Sequence, residues 1–585
     1  MDLFGTAGEG PVFLPSQPTA HYVKSEAGIT VALQGGPVRL KGVEAPSPAE
    51  ALWQAYRARG PGVLQDLSGR FALAILDATC SSVLLALDRM GMESLAYAVR
   101  GNRIIFASSP AAVAAEADPS LRLRDQALFD YLLMHMVPAP DTVFEGVFKL
   151  RPGTCARFER GRLTLERYWV PRFSSGGQAA EFPALREELL TSLREGVAAC
   201  RPDERTGSFL SGGLDSSTVT GMLGRVTGQP PRTFSIGFGV EKFNELEYAR
   251  IANRHFGAHG HEYHVTADDI VDVFPKVAAI YDEPFGNSSA IPTYCCARLA
   301  AQQGVTHLLA GDGGDELFGG NERYVKQRVF ELYAHVPAGI RKGLIEPLVR
   351  HLDPEGPIMP LRKLRSYVDQ ARIPMPERLE SWNLMYRTDL GGMLEPEFRA
   401  AIDTRRPLAT MAELYAQAPS SGLLQRMLFY DWHYTLSDND LRKVGKTCEL
   451  AGVRVSYPML DQRVIDLSLQ VPPEIMIEGH ELRSFYKRAL KGFLPNAILN
   501  KTKHGFGLPF GVWLKTHARL GDLIYGLLSA LKSRRIVKQA FLDTLVHEAR
   551  EGDAGYYGYA IWDLSMLEAW LQSHERVTRS SRAAA

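Results

Sequence analysis

Short apolar runs punctuated by turn residues dominate the first part of the chain. Gly28–Leu33 (GITVAL), Phe71–Leu76 (FALAIL), Ser82–Leu87 (SVLLAL) and Arg103–Ala107 (RIIFA) are separated by Gly, Asp and Asn, the mark of strands joined by tight turns. Helical periodicity is confined to Ala49–Arg59 and Asp125–Met136. A further hairpin is expected over Gly153–Tyr168, turning at Glu159-Arg160-Gly161. The Ser/Gly-rich Arg172–Ala180 (RFSSGGQAA) reads as a linker. From about Glu181 the pattern changes. Helix-period segments alternate with the short strands Gly207–Leu210, Arg232–Phe238, Glu262–Val265 and His307–Ala310, which predicts a parallel α/β sheet. Beyond Tyr324 the chain reads as mostly helical to about Gln572, and Ser573–Ala585 as a polar, basic, frayed tail. The organisation expected is a β-rich unit over 1–171, a linker over 172–182, an α/β unit over 183–572 and a tail over 573–585.

Composition narrows the classes. A chain of 585 residues suggests roughly two to four domains. Lys+Arg and Asp+Glu both number 66, so the basic excess of a nucleic-acid binder is absent. None of the six cysteines forms a CxxC pair or sits near a His at zinc-ligand spacing, a pattern of free thiols in a reducing compartment. The opening MDLFGTAGEG has neither a basic nor an apolar signal region. No apolar run approaches the roughly 20 residues that span a bilayer. A cytoplasmic protein is expected, with no membrane and no nucleic-acid partner.

The candidate chemistry begins at Leu210. The strand Gly207–Leu210 is followed by Ser211-Gly212-Gly213-Leu214-Asp215-Ser216-Ser217 and then a helix. Two glycines let backbone N–H groups turn inward, and with the serine hydroxyls and the helix N-terminus they suit a pyrophosphate. Asp215 is placed to hold Mg²⁺ against phosphate oxygens. A second acidic loop, Gly311-Asp312-Gly313-Gly314-Asp315-Glu316, follows the strand His307–Ala310. Ligands of parallel sheets bind beyond the carboxyl ends of the strands, so the two loops are expected to face one crevice.

SGGLDSS resembles the pyrophosphate loop of the N-type ATP pyrophosphatases, and the sequence after it resembles the asparagine synthetase family. The likeness continues through Ser235-Ile236-Gly237-Phe238, where the family strand reads adenine, and Asn244-Glu245 with Tyr248-Ala249-Arg250. It goes on through Asp282-Glu283-Pro284, Ser288–Tyr294 (SSAIPTY), Gly311–Gly320 (GDGGDELFGG) and Tyr457–Asp461 (YPMLD). The resemblance implies a HUP-like parallel sheet with added helices, ATP as co-substrate, and Mg²⁺ held by Asp215 and Asp315. It further implies nucleotide contacts from Leu210, Ser211, Gly212, Gly213, Asp215, Ser216, Ser217, Ile236 and Gly311. Asp312 falls at the family's acid/base position, with a turn-capping Asp as the plainer reading. The family's pyrophosphate lysine corresponds to Arg483, with Lys487, Lys501 and Lys503 as neighbouring cations. Lys503 opens a stretch resembling the family's "K.GF..P". Family Glu and Arg are replaced by Arg454 and Ser456, which implies either an altered acceptor pocket or a rewired ion pair.

The N-terminal unit resembles a class II (Ntn-type, αββα) glutamine amidotransferase domain in outline, through Leu33–Gly36, Leu67–Ala72 (LSGRFA), Asp88–Gly91 (DRMG) and Phe106–Ser109 (FASS). Glutamine-dependent members begin Met-Cys-Gly, with the Cys as nucleophile. Here Asp2 follows Met1 and no Cys precedes Cys80. A shortened, degenerate domain is therefore expected, with nitrogen supplied by ammonia or by an amine of the substrate. Relatives with this loss include β-lactam, carbapenam and lasso-peptide macrolactam synthetases. The preferred expectation is an AMP-forming amide synthetase closing a lactam or isopeptide bond in a small-molecule or peptide carboxylate. The lasso-peptide branch would add a precursor peptide and a peptidase partner, and a homodimer is left open. The alternatives are an asparagine synthetase using ammonia or glutamine, and a nucleotide-binding regulator without turnover.

Overall fold

The N-terminal apolar runs are continuous because both faces of their sheet are covered. The strands are β1 (Phe4–Ala7), β2 (His21–Glu26), β3 (Ile29–Leu40), β4 (Leu67–Asp77), β5 (Ser82–Leu87), β6 (Ala96–Arg100), β7 (Arg103–Ala107), β8 (Phe148–Lys149), β9 (Thr154–Glu159) and β10 (Arg162–Arg167). They form two antiparallel sheets, of order β1-β7-β6-β8 and β10-β9-β5-β4-β3-β2. Along β4, Phe71, Leu73 and Ile75 pack with Leu52, Trp53 and Tyr56 of α1 (Pro48–Arg59). The alternate residues Ala72, Ala74 and Leu76 meet Tyr97, Ile104 and Phe106 of the second sheet. The outer face of that sheet is covered by α2 (Pro110–Ala117) and α3 (Asp125–Met134). The result is helix, sheet, sheet, helix, the architecture expected for an Ntn-type unit. The computed structural model describes residues 4–7, 21–43, 45–118, 120, 122–174, 181–240, 243–350, 359–381, 383–502 and 507–574. Most of the expected linker, Lys503 and nearly all of the expected tail lie outside the described residues.

The second sheet system is fully parallel. Its strands are β11 (Thr206–Phe209), β12 (Arg232–Phe238), β13 (His259–Val265), β14 (His307–Leu309) and β15 (Arg454–Ser456), in the order β13-β12-β11-β14-β15. The chain runs outward from β11 to β13 through α5 (Leu214–Thr227) and α6 (Leu246–Phe256). It returns through α7 (Ala267–Ile280) and α8 (Ala290–Gln302) to lay β14 on the other side of β11. The order therefore reverses between β11 and β14, and a crevice opens at their carboxyl ends, where such sheets bind ligands. The helix α4 (Phe182–Ala199) precedes β11, and α9 (Gly314–Phe318) follows β14. The predicted strands are all present, and β15 is an addition. Its sequence, Arg-Val-Ser, carries no apolar run, and only pairing with β14 makes it a strand.

One core crosses the whole molecule. Ala96, Ile105 and Phe129 of the N-terminal layers belong to the same buried cluster as Leu189, Phe274 and Trp570. Polar ties reinforce the seam. Lys149 Nζ pairs with Glu283 Oε2 at 2.6 Å, while Val143 N–H donates to Glu283 Oε1 at 2.9 Å. His135 Nδ1 meets Asp563 Oδ2 at 2.7 Å, and Arg70 Nη1 donates to the Val455 carbonyl at 2.5 Å. Burial pushes the Glu283 carboxyl above its usual range, and Lys149 pulls it back. Among the described residues no helix is long and apolar enough to cross a membrane.

Lys149→Met strands the Glu283 carboxylate without its cation. The expected cost is about 3–5 kcal/mol, read as a lower melting temperature. Lys149→Met/Glu283→Leu recovers most of it. A single variant that melts like the parent would show that the pair contributes nothing to the seam.

Candidate active site

The phosphate-type loop is built from its strand outward. Leu210 N–H donates to the Phe234 carbonyl at 2.9 Å, and Ser235 Oγ donates to the Leu210 carbonyl at 2.6 Å, so the loop starts from a fixed point. Ser211 Oγ and Ser216 Oγ lie 3.0 Å apart, and Gly213 N–H donates to Ser211 Oγ at 3.3 Å. Gly212 has φ +70° and presses against α6, where a Cβ would come within 2.5 Å of Ala249 N. Neither that φ nor that approach tolerates a side chain. Ser217 is fully buried, and its hydroxyl makes no hydrogen bond among the described residues. A buried hydroxyl without a partner is costly, and a phosphate oxygen would satisfy it. Ile236 lies half-buried on β12, the neighbouring strand.

The second loop reaches the first. Gly311 lies against the first turn of α5, where a Cβ would stand 2.8 Å from Ser216 N. A Cβ on Gly314 would strike the Asp215 carboxylate, and one on Gly320 would strike that of Asp315. These two bare positions form a cradle holding both carboxylates at the switch point. Arg483 sits between them. Its Nη1 donates to Asp215 Oδ2 at 2.7 Å and to Asp315 Oδ1 at 2.9 Å, and its Nη2 donates to Asp215 Oδ1. The Arg483 side chain is 5% exposed. Burial works against its charge, but Asp215 and Asp315 outweigh that and raise its pKa further. It occupies φ +59°, immediately before the helix Ser484–Ala489, and lies over the Tyr486 ring at 4.4 Å. Of the competing cations, Lys487 pairs with Glu481 at 3.2 Å, and Lys501 pairs with Glu245 at 3.0 Å beside Tyr248.

The paired carboxylates fit a magnesium ion of the nucleotide-bound kind. Among the described residues no cluster of three or more His, Cys, Asp or Glu could hold a metal. Mg²⁺ needs no such cage: it is typically held by one or two carboxylates, with phosphate and water completing the shell. The bare Gly314 and Gly320 leave the Asp215 and Asp315 carboxylates the space that a Cβ would take.

Asp312 has surroundings that the sequence reading did not identify. Burial pushes its carboxyl up to about 6, with Lys443 pulling down and Asp440 pushing up. Lys443 Nζ bonds Asp440 Oδ1 at 2.7 Å. Burial opposes the ammonium, but Asp440 and Asp312 outweigh it and raise its pKa. Asp440 closes a π-helical stretch, Trp432–Asp440, and Lys443 lies in the first turn of the helix Leu441–Leu450 that continues it. Wide turns of this kind recur at functional sites. Asn439 Oδ1 accepts from Asn287 Nδ2 at 2.7 Å, and Trp432 Nε1 donates to the Glu316 carbonyl at 3.0 Å, fixing the stretch against the second loop. The only sequence signal was the Asp-x-x-Lys spacing of Asp440 and Lys443. Arg454 is exposed, and Ser456 Oγ lies 2.9 Å from His307 Nε2 across β14 and β15. Neither pairs with the other.

Five of the six cysteines are disfavoured as nucleophiles by burial. Burial pushes Cys155 up to about 11 and Cys200 and Cys295 each to about 12, and it raises Cys296 and Cys448 as well. Reactive thiols need the opposite shift. Cys80 is exposed in a surface turn, with Ser82 Oγ 3.1 Å from its sulfur.

A parallel sheet that presents a Ser/Gly loop, a buried donor and facing carboxylates at its switch point defines a nucleotide-dependent enzyme. The chain belongs to the asparagine synthase family, whose profile matches residues 188–572, and residues 39–169 match the glutamine amidotransferase domain. It is an ATP-dependent carbon–nitrogen ligase of that type. Asparagine synthetase [glutamine-hydrolyzing] 1 of Bacillus subtilis is 25% identical over 86% of this chain and 76% of its own length. A putative asparagine synthetase [glutamine-hydrolyzing] of Mycobacterium tuberculosis is 27% identical over 89% and 79%. Among solved structures, a glutamine phosphoribosylpyrophosphate amidotransferase from B. subtilis aligns over 50% of this chain and 64% of its own at 15% identity. Its TM-score of 0.18 is too low to support an argument.

Gly314→Ala drives a methyl group into the Asp215 carboxylate. ATP-dependent pyrophosphate release is expected to fall on the order of 100-fold, with the melting temperature near that of the parent. Unchanged release would remove the cradle from the site.

Proposed function

We propose that this enzyme adenylates a carboxylate of its substrate and joins it to an amine that does not come from glutamine, closing a lactam or isopeptide bond within one molecule. The supporting observation is the meeting of Asp215 and Asp315 beside the Ser211–Ser217 loop, with Asp312 three residues before Asp315. The loop N–H groups and the Ser217 hydroxyl hold the phosphates. Asp215 and Asp315 would hold Mg²⁺, which when bound would neutralise charge at the phosphate oxygens. A carboxylate oxygen of the substrate attacks the α-phosphorus, and pyrophosphate leaves. The amine then attacks the acyl carbon, AMP leaves, and Asp312 takes the amine proton. With its carboxyl near 6, Asp312 is mostly ionised at neutral pH yet basic enough to accept a proton. Lys443 and Asp440 are the positioning pair behind it.

When both reacting ends belong to one substrate, holding them together replaces a bimolecular encounter, worth about 7–11 kcal/mol at best. A lasso-type precursor peptide, with a peptidase that prepares it, is the substrate and partner this reading favours. The second reading is asparagine formation from aspartate, favoured by the printed activity of the relatives along most of the chain.

Pyrophosphate release is the deciding measurement, with linear peptides, with aspartate plus ammonium, and with aspartate plus glutamine. Release with a linear peptide and a product lighter by one water supports the first reading. Release only with aspartate supports the second, and glutamate produced from glutamine would defeat the proposed nitrogen source. With any productive substrate, kcat/KM is expected to fall as pH drops through about 6, because protonated Asp312 cannot act as the base. Asp312→Asn should remove that limb along with most of the rate, on the order of 100-fold or more. An unshifted profile in Asp312→Asn would assign the base elsewhere.

A further inference from the structure

The position of Arg483 raises a question of order. One guanidinium fills the place between Asp215 and Asp315, with donors to both carboxylates. We infer that Arg483 stands in for the metal until the nucleotide arrives, so that the enzyme takes up its divalent cation only together with ATP. This rests on the nucleotide reading above and adds the sequence of events within that site.

The argument is electrostatic. Arginine stays charged under all working conditions, and this one is 5% exposed. A divalent cation entering alone would have to expel it from both partners. A buried monovalent cation would then lie without a counter-charge beside a divalent one, the expensive half of a broken buried pair. Water offers no relief at that exposure. The Tyr486 ring lies 4.4 Å from the guanidinium, and its attraction is small beside two carboxylates.

ATP changes the balance by bringing its own anions. A phosphate offers a guanidinium the same forked, charge-assisted acceptors that a carboxylate does. Arg483 can then leave the carboxylates for phosphate oxygens while the metal takes the carboxylates. The side chain has a donor to spare for this, since Arg483 Nε is buried and makes no hydrogen bond among the described residues. Ser217 Oγ, in the first turn of α5, is likewise buried and without a partner among the described residues. The left-handed φ of +59° at Arg483 fixes where the side chain starts, immediately before the Ser484–Ala489 helix, so the swing pivots about one point. A lysine at this position could neutralise one carboxylate at a time. Arginine's fork spans both.

Manganese is the probe, followed by electron paramagnetic resonance on the full-length protein, alone and with non-cleavable α,β-methylene ATP. The parent is expected to bind Mn²⁺ weakly without the nucleotide analogue, and on the order of 100-fold more tightly with it. Arg483→Gln is expected to bind Mn²⁺ without the analogue on the order of 100-fold more tightly than the parent, and Arg483→Lys to fall between the two. The exchange is overturned if the parent binds Mn²⁺ equally with and without the analogue, or if folded Arg483→Gln binds Mn²⁺ no better than the parent. Should Arg483→Gln fail to fold, the parent's own two titrations decide the matter. Calorimetry with the analogue separates the two readings. An analogue that does not bind at all defeats the nucleotide assignment, whereas one that binds while Mn²⁺ also binds alone defeats only the exchange.

Discussion

Two carboxylates brought face to face in a partly buried crevice repel each other, and each pays for lost hydration. Asp215 and Asp315 tolerate this because the Arg483 guanidinium lies between them. That one cation joins three distant stretches of chain: the loop after β11, the loop after β14, and the turn before the Ser484–Ala489 helix. Its partners lie 268 and 168 residues away in sequence. Removing it would leave the two loops mutually repulsive, and the glycines that let them approach would have no purpose. The strand order places the loops, the glycines let them close, and the arginine makes closure favourable.

Much of this was legible in the residues. The Ser211–Ser217 loop and the Asp312–Asp315 loop were readable because their chemistry is local: glycines, serines and carboxylates within a few positions of a strand end. The buried strands β4 and β5 were readable because both faces are covered, so Phe71–Leu76 and Ser82–Leu87 are unbroken apolar runs. What escaped was non-local. β15 is three residues whose strand character comes from its neighbour. The edge strand β2, His21–Glu26, has one apolar-rich stretch too short to stand out, since most of its described side chains face solvent. Asp440 and Lys443 escaped for a different reason. They lie at the end of a wide-turn stretch and just beyond it, where the usual helical spacing no longer predicts which side chains share a face. Arg483 was found by position, but its engagement with both carboxylates could not be read without the fold.

The acceptor side is defined by charge balance. Asp312 lies close to both Lys443 and Asp440, and the three together carry one net negative charge when ionised. Such a group can take up a proton without leaving an isolated charge behind. Asn439 and Trp432 pin the wide-turn stretch to Asn287 and Glu316, so the balance is set by backbone elements more than by flexible side chains. The exposed Arg454 and the His307–Ser456 contact fall outside this arrangement.

The shared core has a meaning for inheritance. A single functional side chain can be exchanged in one codon. The N-terminal layers cannot be lost that way, because Ala96, Ile105 and Phe129 are packed into the same interior as Phe274 and Trp570. Cutting them off would uncover the flank of the sheet that carries the nucleotide loops. Whatever nitrogen source the enzyme draws on, its amidotransferase-like layers belong to the hull as a keel does, and the synthetase site is built on the same frame.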